Sequence, residues 1–299
     1  MSAAPPAIDE TFLLRHPLPD PTQGGSKHER GTVLIVGATT ETPGALLLAG
    51  LAALRVGAGR LQIAVPEAVA PLLAVQLPEA QVIGLDEHAS GTVRPTSRLA
   101  EAMADSDVVL VGPGLGDEEA GRVVLEAAVA AVSEGGGSLV VDAGALVALG
   151  RAPGLLAPIL ERCVAMPNPG EAAALAGDRE LDAEGGTAVD QLVERLGCTV
   201  ALRGPDTWIA SPAHPKVVER DGPVGLATSG SGDVLAGMVA GHLARGAEPF
   251  DAIVWAVHLH AAAGRALTSE QTELGLLARE VIDALPAVRA SAAGRLLRP

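Results

Sequence analysis

Seven short, mostly apolar runs punctuate the first two thirds of this chain. They are TVLIV at 32–36, LQIAV at 61–65, a run at 81–84, DVVLV at 107–111, SLVV at 138–141, CVAM at 163–166 and TVAL at 199–202. Each is too short for a helix, they are rich in β-branched residues, and most end at Gly or Pro. Most are apolar throughout rather than alternating, which predicts strands covered on both faces, as in a parallel sheet. Between them lie Ala- and Leu-rich stretches with helical spacing, at 43–57, 118–134 and 186–196. After the last run, 207–210 and 216–218 read as a hairpin, and helices are expected at 233–245 and 249–267. Parallel neighbours need a crossover, and a helix supplies one. The order predicts a doubly wound α/β fold, a three-layer α/β/α sandwich with a mostly parallel central sheet. Residues 31–289 are expected to form a single domain. Residues 1–30, rich in Pro, Gly and charge, read as an arm, either mobile or strapped to the surface. A loose tail is expected over 290–299.

Composition narrows the partners. Hydrophobic residues make up 48% of the chain, but it has two Trp, two Phe and no Tyr, so the core must be aliphatic. With 21 basic and 36 acidic residues the net charge is −15, which repels phosphate backbones and anionic membranes. Too few aromatics remain to stack bases. Nucleic acid and membrane partners are therefore not expected, although one local loop can still bind a small anion. Two cysteines and no CxxC argue against a disulfide framework or a zinc site and fit a cytoplasmic location. The longest apolar run, 44–54, is far short of the about 20 residues that span a bilayer, and reads as a buried helix.

In such sheets ligands bind at the carboxyl ends of the strands, and the loops there carry unusual chemistry. The strongest signal is ATSGSGDVLAG at 227–237. Its backbone N–H groups and the helix start that follows would cradle an anion, with glycine permitting close approach. Asp233 would then sit beside a bound phosphate, where it can take a proton from a hydroxyl during phosphoryl transfer. The competing reading makes Asp233 an N-cap and Gly232 a turn residue. Gly237 and Gly241, four apart, read as a close helix contact. VGPGLG at 111–116 is either a ligand-approach loop or a plain tight turn. Asp142, in VVDAGAL, suits a metal–water or phosphate-side role, or caps the next helix. In MPNPGE the rigid turn presents Asn168, while Glu171 either holds a magnesium-bound water or complements the helix dipole. Arg203, in LRGPDT, is a natural partner for a phosphate or a buried carboxylate. His258 and His260, spaced i, i+2, lie on different helix faces and cannot chelate one metal. Each reads as a packed or surface histidine.

Taken in order, these motifs resemble one family, the ADP-dependent NAD(P)H-hydrate dehydratases of the ribokinase-like superfamily. The resemblance runs from about residue 27 to 286. The segment RGTVLIVGATTETPGALLLAGLAALRVGAGRLQIAVPE is similar to the family's first β-α-β unit, and His260 and GLLAREVIDALP also match. The resemblance implies a carbon–oxygen lyase that repairs the 6S hydrate of NADH or NADPH. A phosphoryl group passes from ADP to the C6 hydroxyl, and phosphate is then eliminated, leaving NAD(P)H, AMP and phosphate. It implies that Ala45, Gly114, Asn168 and Asp233 contact the hydrate, with Asp233 activating the hydroxyl. It implies that Arg203, Gly204, Pro205, Asp206, Thr207, Gly230 and Gly232 contact the nucleotide. Mg2+ would bridge the phosphates, with Glu171 and Asp142 reaching it through water. A homotetramer is implied, and a separate epimerase protein if one exists.

Four departures stand out. Asn168 replaces a His usual in the family, Gly144 replaces a second acid, Arg203 replaces a Lys, and residues 37–39 read Gly-Ala-Thr rather than Gly-Gly-Ser. Two rival readings share the motifs: a small-molecule hydroxymethyl kinase of the same fold, and a nucleotide-binding homologue without activity. The first β-α-β unit speaks against the kinase. The retained Asp233 and anion loop speak against the inactive homologue.

Overall fold

The structure is a computed structural model. It describes residues 5–20, 26–37, 39–88, 93–116, 118–177, 179–182, 185–270 and 272–296, without the side chains of 120, 270 and 293–296. Ala38 of the first loop, Asp117 before the 118–134 helix, and residues 297–299 of the expected tail lie outside the described residues.

The apolar runs all become strands of one sheet. In chain order these are β1 Thr32–Val36, β2 Arg60–Pro66, β3 Ala80–Leu85, β4 Val108–Val111, β5 Ser138–Val141, β6 Cys163–Ala165 and β7 Thr199–Leu202, then β8 Thr207–Ala210 and β9 Val217–Glu219. Their spatial order is β3-β2-β1-β4-β5-β6-β7-β8-β9. Pairing is parallel as far as β7, and β8 and β9 add an antiparallel hairpin as expected. Strand order reverses at the junction of β1 and β4, the kind of switch point where doubly wound sheets open a crevice.

Why the strands carry so few polar residues is plain from the two cores. Val33 and Ile35 point into one, and Leu34 and Val36 into the other. The first core is closed by α2 (Gly44–Arg55), α3 (Ala70–Gln76), α9 (Ser231–Ala244), α10 (Pro249–Glu270) and α11 (Ala278–Leu296). The second is closed by α4 (Ser97–Ala104), α5 (Glu118–Gly135), α6 (Gly144–Arg151), α7 (Pro169–Ala176) and α8 (Gly185–Leu196). Gly237 and Gly241 behave as read. A Cβ on Gly237 would come within 2.0 Å of the Ala49 carbonyl, and one on Gly241 within 2.6 Å of the Ala53 carbonyl, so α9 lies directly on the backbone of α2.

Within the described residues, both ends of the chain pack onto the fold. Of the two readings of the arm, the strap holds for its described part. Ile8 donates to the Val218 carbonyl at 3.0 Å and Val218 donates to Pro6 at 3.1 Å, which covers the edge strand β9. Helix α1 (Glu10–Arg15) follows, with Phe12 and Leu13 buried. Position 290, where a loose tail was expected to begin, falls inside α11. Val281, Ile282, Leu285 and Ala292 are buried in the first core, and that stripe carries the helix onward. Among the described residues no single helix is long and apolar enough to cross a membrane.

Candidate active site

Because β1 to β7 are parallel, the loops after them gather at one edge of the sheet. The loops after β1 and β4 are stitched together there. Thr42 donates its hydroxyl to the Gly114 carbonyl at 2.9 Å, and a Cβ on Gly37 would strike the Pro113 carbonyl at 2.1 Å. Gly114 adopts a positive φ of 72°. Ala45 lies in the first turn of α2, just past this junction, and Leu48 of the same helix packs against Gly230. Ala45, Gly114 and the start of α9 therefore border one crevice.

The crossing between the loops after β4 and β5 is tighter still. A Cβ on Gly112 would lie 1.7 Å from the Asp142 carbonyl, and one on Gly144 would lie 2.3 Å from the Leu115 carbonyl. Ala143, between Asp142 and Gly144, has φ 47° and ψ −128°, a strained backbone of the kind that clusters at functional sites. Read from sequence, Gly144 is a lost acid. In the structure the backbone of the neighbouring loop fills the space its side chain would need.

Arg203 is the hub. It leaves β7 and donates from Nη2 to Asp142 Oδ1 at 2.9 Å and to Glu171 Oε2 at 3.1 Å. Its Nη1 lies so close to Gly232 that a Cβ there would approach within 2.1 Å. Burial works against its charge, but Asp142 and Glu171 outweigh it and leave the pKa raised. The Nε of Arg203 is buried without a hydrogen-bond partner among the described residues. Nη1, which lies against the start of α9, is the donor placed to meet an anion there.

The three carboxylates differ in their settings. Asp142 is buried, which pushes its pKa up to about 6 even though Arg203 opposes the shift. Its side chain is engaged with Arg203 rather than capping α6, so the capping alternative fails. Glu171 realises the helix-terminus reading. Asn168 Oδ1 accepts the Glu171 N–H at 2.9 Å and Glu171 Oε2 accepts the Asn168 N–H at 2.8 Å, a reciprocal capping box at the start of α7. Asn168 thereby commits its oxygen to the helix, leaving Nδ2 as the group able to meet a ligand. Asp233 is not the N-cap of α9. That position belongs to Gly230, whose φ of 86° only glycine adopts freely, and Asp233 stands at the third helical position. Burial pushes its pKa up to about 6, Arg203 pulls against this, and Glu171 adds to it.

His260, read from the sequence as a packed or surface histidine, lies under the loop. Ser231 hydrogen-bonds His260 Nε2 through its hydroxyl at 3.0 Å, and both are buried. Burial holds His260 down at about 4, so it is neutral near pH 7 and braces the turn without adding charge. His258 faces elsewhere and pairs with Glu219 at 3.1 Å. The rest of the LRGPDT turn stands at the rim. Gly204 and Pro205 are exposed, Asp206 pairs with Arg220 at 3.5 Å, and Thr207 opens β8 opposite Glu219. The structure thus unites Asp142, Glu171, Arg203, Gly232 and Asp233, and leaves Gly204 to Thr207 along the edge.

No group of three His, Cys, Asp or Glu side chains could hold a metal among the described residues. Two carboxylates tied to one guanidinium do not form an all-protein cage. Hard oxygens of this kind do suit Mg2+ held mainly by water and substrate phosphates.

The sequence matches the family model described as NAD(P)H-hydrate dehydratase over residues 33–287. The chain belongs to the NAD(P)H-hydrate dehydratase family. It is 41% identical over 284 residues to the ADP-dependent (S)-NAD(P)H-hydrate dehydratase of Xanthomonas campestris pv. campestris, covering 94% of this chain and 95% of that protein. The corresponding Bacillus subtilis protein is 33% identical over 279 residues, covering 92% and 95%. Among solved structures, the Bacillus subtilis ADP/ATP-dependent NAD(P)H-hydrate dehydratase co-crystallised with ATP/Mg2+ superposes with a TM-score of 0.78 at 29% identity, covering 97% of this chain and 100% of that one. A ribokinase-like protein from Enterococcus faecalis gives a TM-score of 0.81 at 25% identity, covering 96% of each chain. The dehydratase family and the ribokinase-like fold agree with the resemblance read from the motifs.

Proposed function

We propose that this protein is an ADP-dependent dehydratase of the 6S hydrates of NADH and NADPH. The observation that carries the reading is Asp233, half-buried at the start of α9 beside Arg203, in a chain of this family. Asp233 takes the proton of the C6 hydroxyl as that oxygen attacks the terminal phosphorus of ADP. The amino end of α9 and the Arg203 guanidinium offset the charge that develops on the phosphoryl oxygens. The ring nitrogen then expels the new phosphate from C6, and loss of a ring proton restores the dihydronicotinamide.

On this reading Ala45, Gly114 and Asn168 seat the hydrate. Arg203, Gly204, Pro205, Asp206, Thr207, Gly230 and Gly232 seat the nucleotide. Mg2+, when bound, supplies charge neutralisation at the phosphates. Glu171 and Asp142 would orient its waters, with Arg203 holding both carboxylates in place. The reading includes a homotetramer in the cytoplasm and an epimerase on a separate chain.

The test supplies the hydrate with ADP or ATP and follows recovery of dihydronicotinamide absorbance. Recovery with nucleotide and none without it is the expected result. Phosphorylation of a hydroxymethyl vitamin precursor with no repair of the hydrate would overturn the reading.

A further inference from the structure

We propose that Cys163 and Cys198 form a dithiol modification site, which a small peroxide converts to a disulfide. Cys163 opens β6 and Cys198 immediately precedes β7. These strands pair in parallel, with Val164 opposite Thr199 and Ala165 opposite Val200. The two cysteines are the next pair in that register. Both side chains are fully buried in the second core, on the same face of the sheet. Cys198 lies close enough to raise the pKa of the Cys163 thiol. Neighbouring strands lie about 4.8 Å apart, inside the roughly 4.4–6.8 Å window of Cα separations that a disulfide spans. The strand spacing thus meets the backbone separation that a bridge needs.

The pair also has an approach. A cavity of about 760 Å³ opens at the amino-terminal ends of these strands, at the opposite edge from the active site. Its lining includes Ile159, Arg162, Gly197, Thr199, His214 and Phe250. Arg162 precedes Cys163, and Gly197 and Thr199 flank Cys198, so the cavity comes within one residue of each cysteine along the chain. The dehydratase reading makes no use of this cavity or of either cysteine. On this proposal a neutral peroxide reaches the pair as the packing between cavity and thiols opens transiently.

The step balances. One sulfur attacks a peroxide oxygen, forming S–O as O–O breaks, and one water leaves with the thiol proton. The second sulfur attacks the resulting sulfenic sulfur, forming S–S as S–O breaks, and a second water leaves. Two thiols lose two electrons and hydrogen peroxide gains them. Burial and the neighbouring sulfur hold the Cys163 thiol well above its ordinary range, so little thiolate is present and the reaction is slow. The bridge would close the segment 163–198, which carries Asn168 and Glu171.

The full-length protein is treated with hydrogen peroxide, denatured without reductant and analysed by intact mass and peptide mapping. The expected result is one linked 163–198 peptide, with both thiols lost together and both recovered with dithiothreitol. In Cys198→Ser and Cys163→Ala no linked peptide forms. Independent conversion of either cysteine to sulfinic acid in the wild type would overturn the proposal. So would two thiols that stay free under peroxide sufficient to oxidise them in the urea-unfolded chain.

Discussion

In the proposed mechanism Asp233 carries the greatest chemical burden of any side chain. Replacing it with Asn keeps the size and the helix position but removes the base. Asp233→Asn is expected to lower kcat by about 100- to 10,000-fold with nucleotide binding retained, as read by turnover and calorimetry side by side. Retained turnover in that variant would remove Asp233 from the chemistry. Its raised pKa gives a second expectation. The base works only when ionised, so kcat/KM should fall as pH drops through about 6, and the midpoint should move upward in Arg203→Met, where the opposing cation is gone. A pH profile of both proteins checks this. His242 tests burial without function. Both of its ring nitrogens are buried without partners among the described residues, and burial holds its pKa down at about 3. Between about 6.5 and 3 the unfolded chain holds the extra proton, so this residue costs stability as pH falls through that window. His242→Leu should gain about 2 kcal/mol at pH 5 relative to pH 8, compared with wild type, in urea titrations.

At the scale of elements, the pairing of α2 with α9 sets where the anion loop can lie. α9 sits on the α2 backbone because Gly237 and Gly241 have no side chains to hold it off. Gly237→Ala places a methyl against a main-chain carbonyl that cannot move cheaply. A loss of about 1–3 kcal/mol is expected from chemical denaturation, together with weaker nucleotide binding as the start of α9 tilts away from Arg203. An unchanged midpoint would show that the helices separate without cost. This contact was readable from sequence, since two glycines four apart in an otherwise apolar helix fall on one face. The capping box of Asn168 and Glu171 was not recognised, although Asn with Glu three residues on, ahead of an alanine run, is its ordinary signature. The short α6 and α7 were anticipated only as helices following Asp142 and Asn168, without bounds, because two helical turns leave little periodicity to detect.

Over the whole molecule, the strap joins ends that are distant in sequence. His16 pairs with Asp251 at 2.8 Å, Trp255 donates to the His16 carbonyl at 2.6 Å, and Phe12 stacks on the His16 ring at 4.4 Å. Three of the chain's four Phe and Trp residues, Phe12, Phe250 and Trp255, meet in this region, away from the site. Removing residues 1–16 would expose Phe250 and Trp255 and uncover β9. A fall in Tm of roughly 10 °C is expected by calorimetry, and an unchanged Tm would show that the strap is not part of the folded core. Sequence alone determined the parallel sheet, its two apolar faces, the order of the loops that follow its strands and the glycine-rich turn into a helix at 227–237. These are written in local periodicity and in glycine spacing, which short-range sterics impose wherever the segment goes. Only the tertiary structure decided that Arg203 reaches Asp142 and Glu171, 61 and 32 residues away along the chain. It also decided that Gly144 has no room for an acid and that His260 supports the cradle from below. Parallel pairing brings every loop to one edge, but strand register and the cost of burying a charge select which side chains meet there.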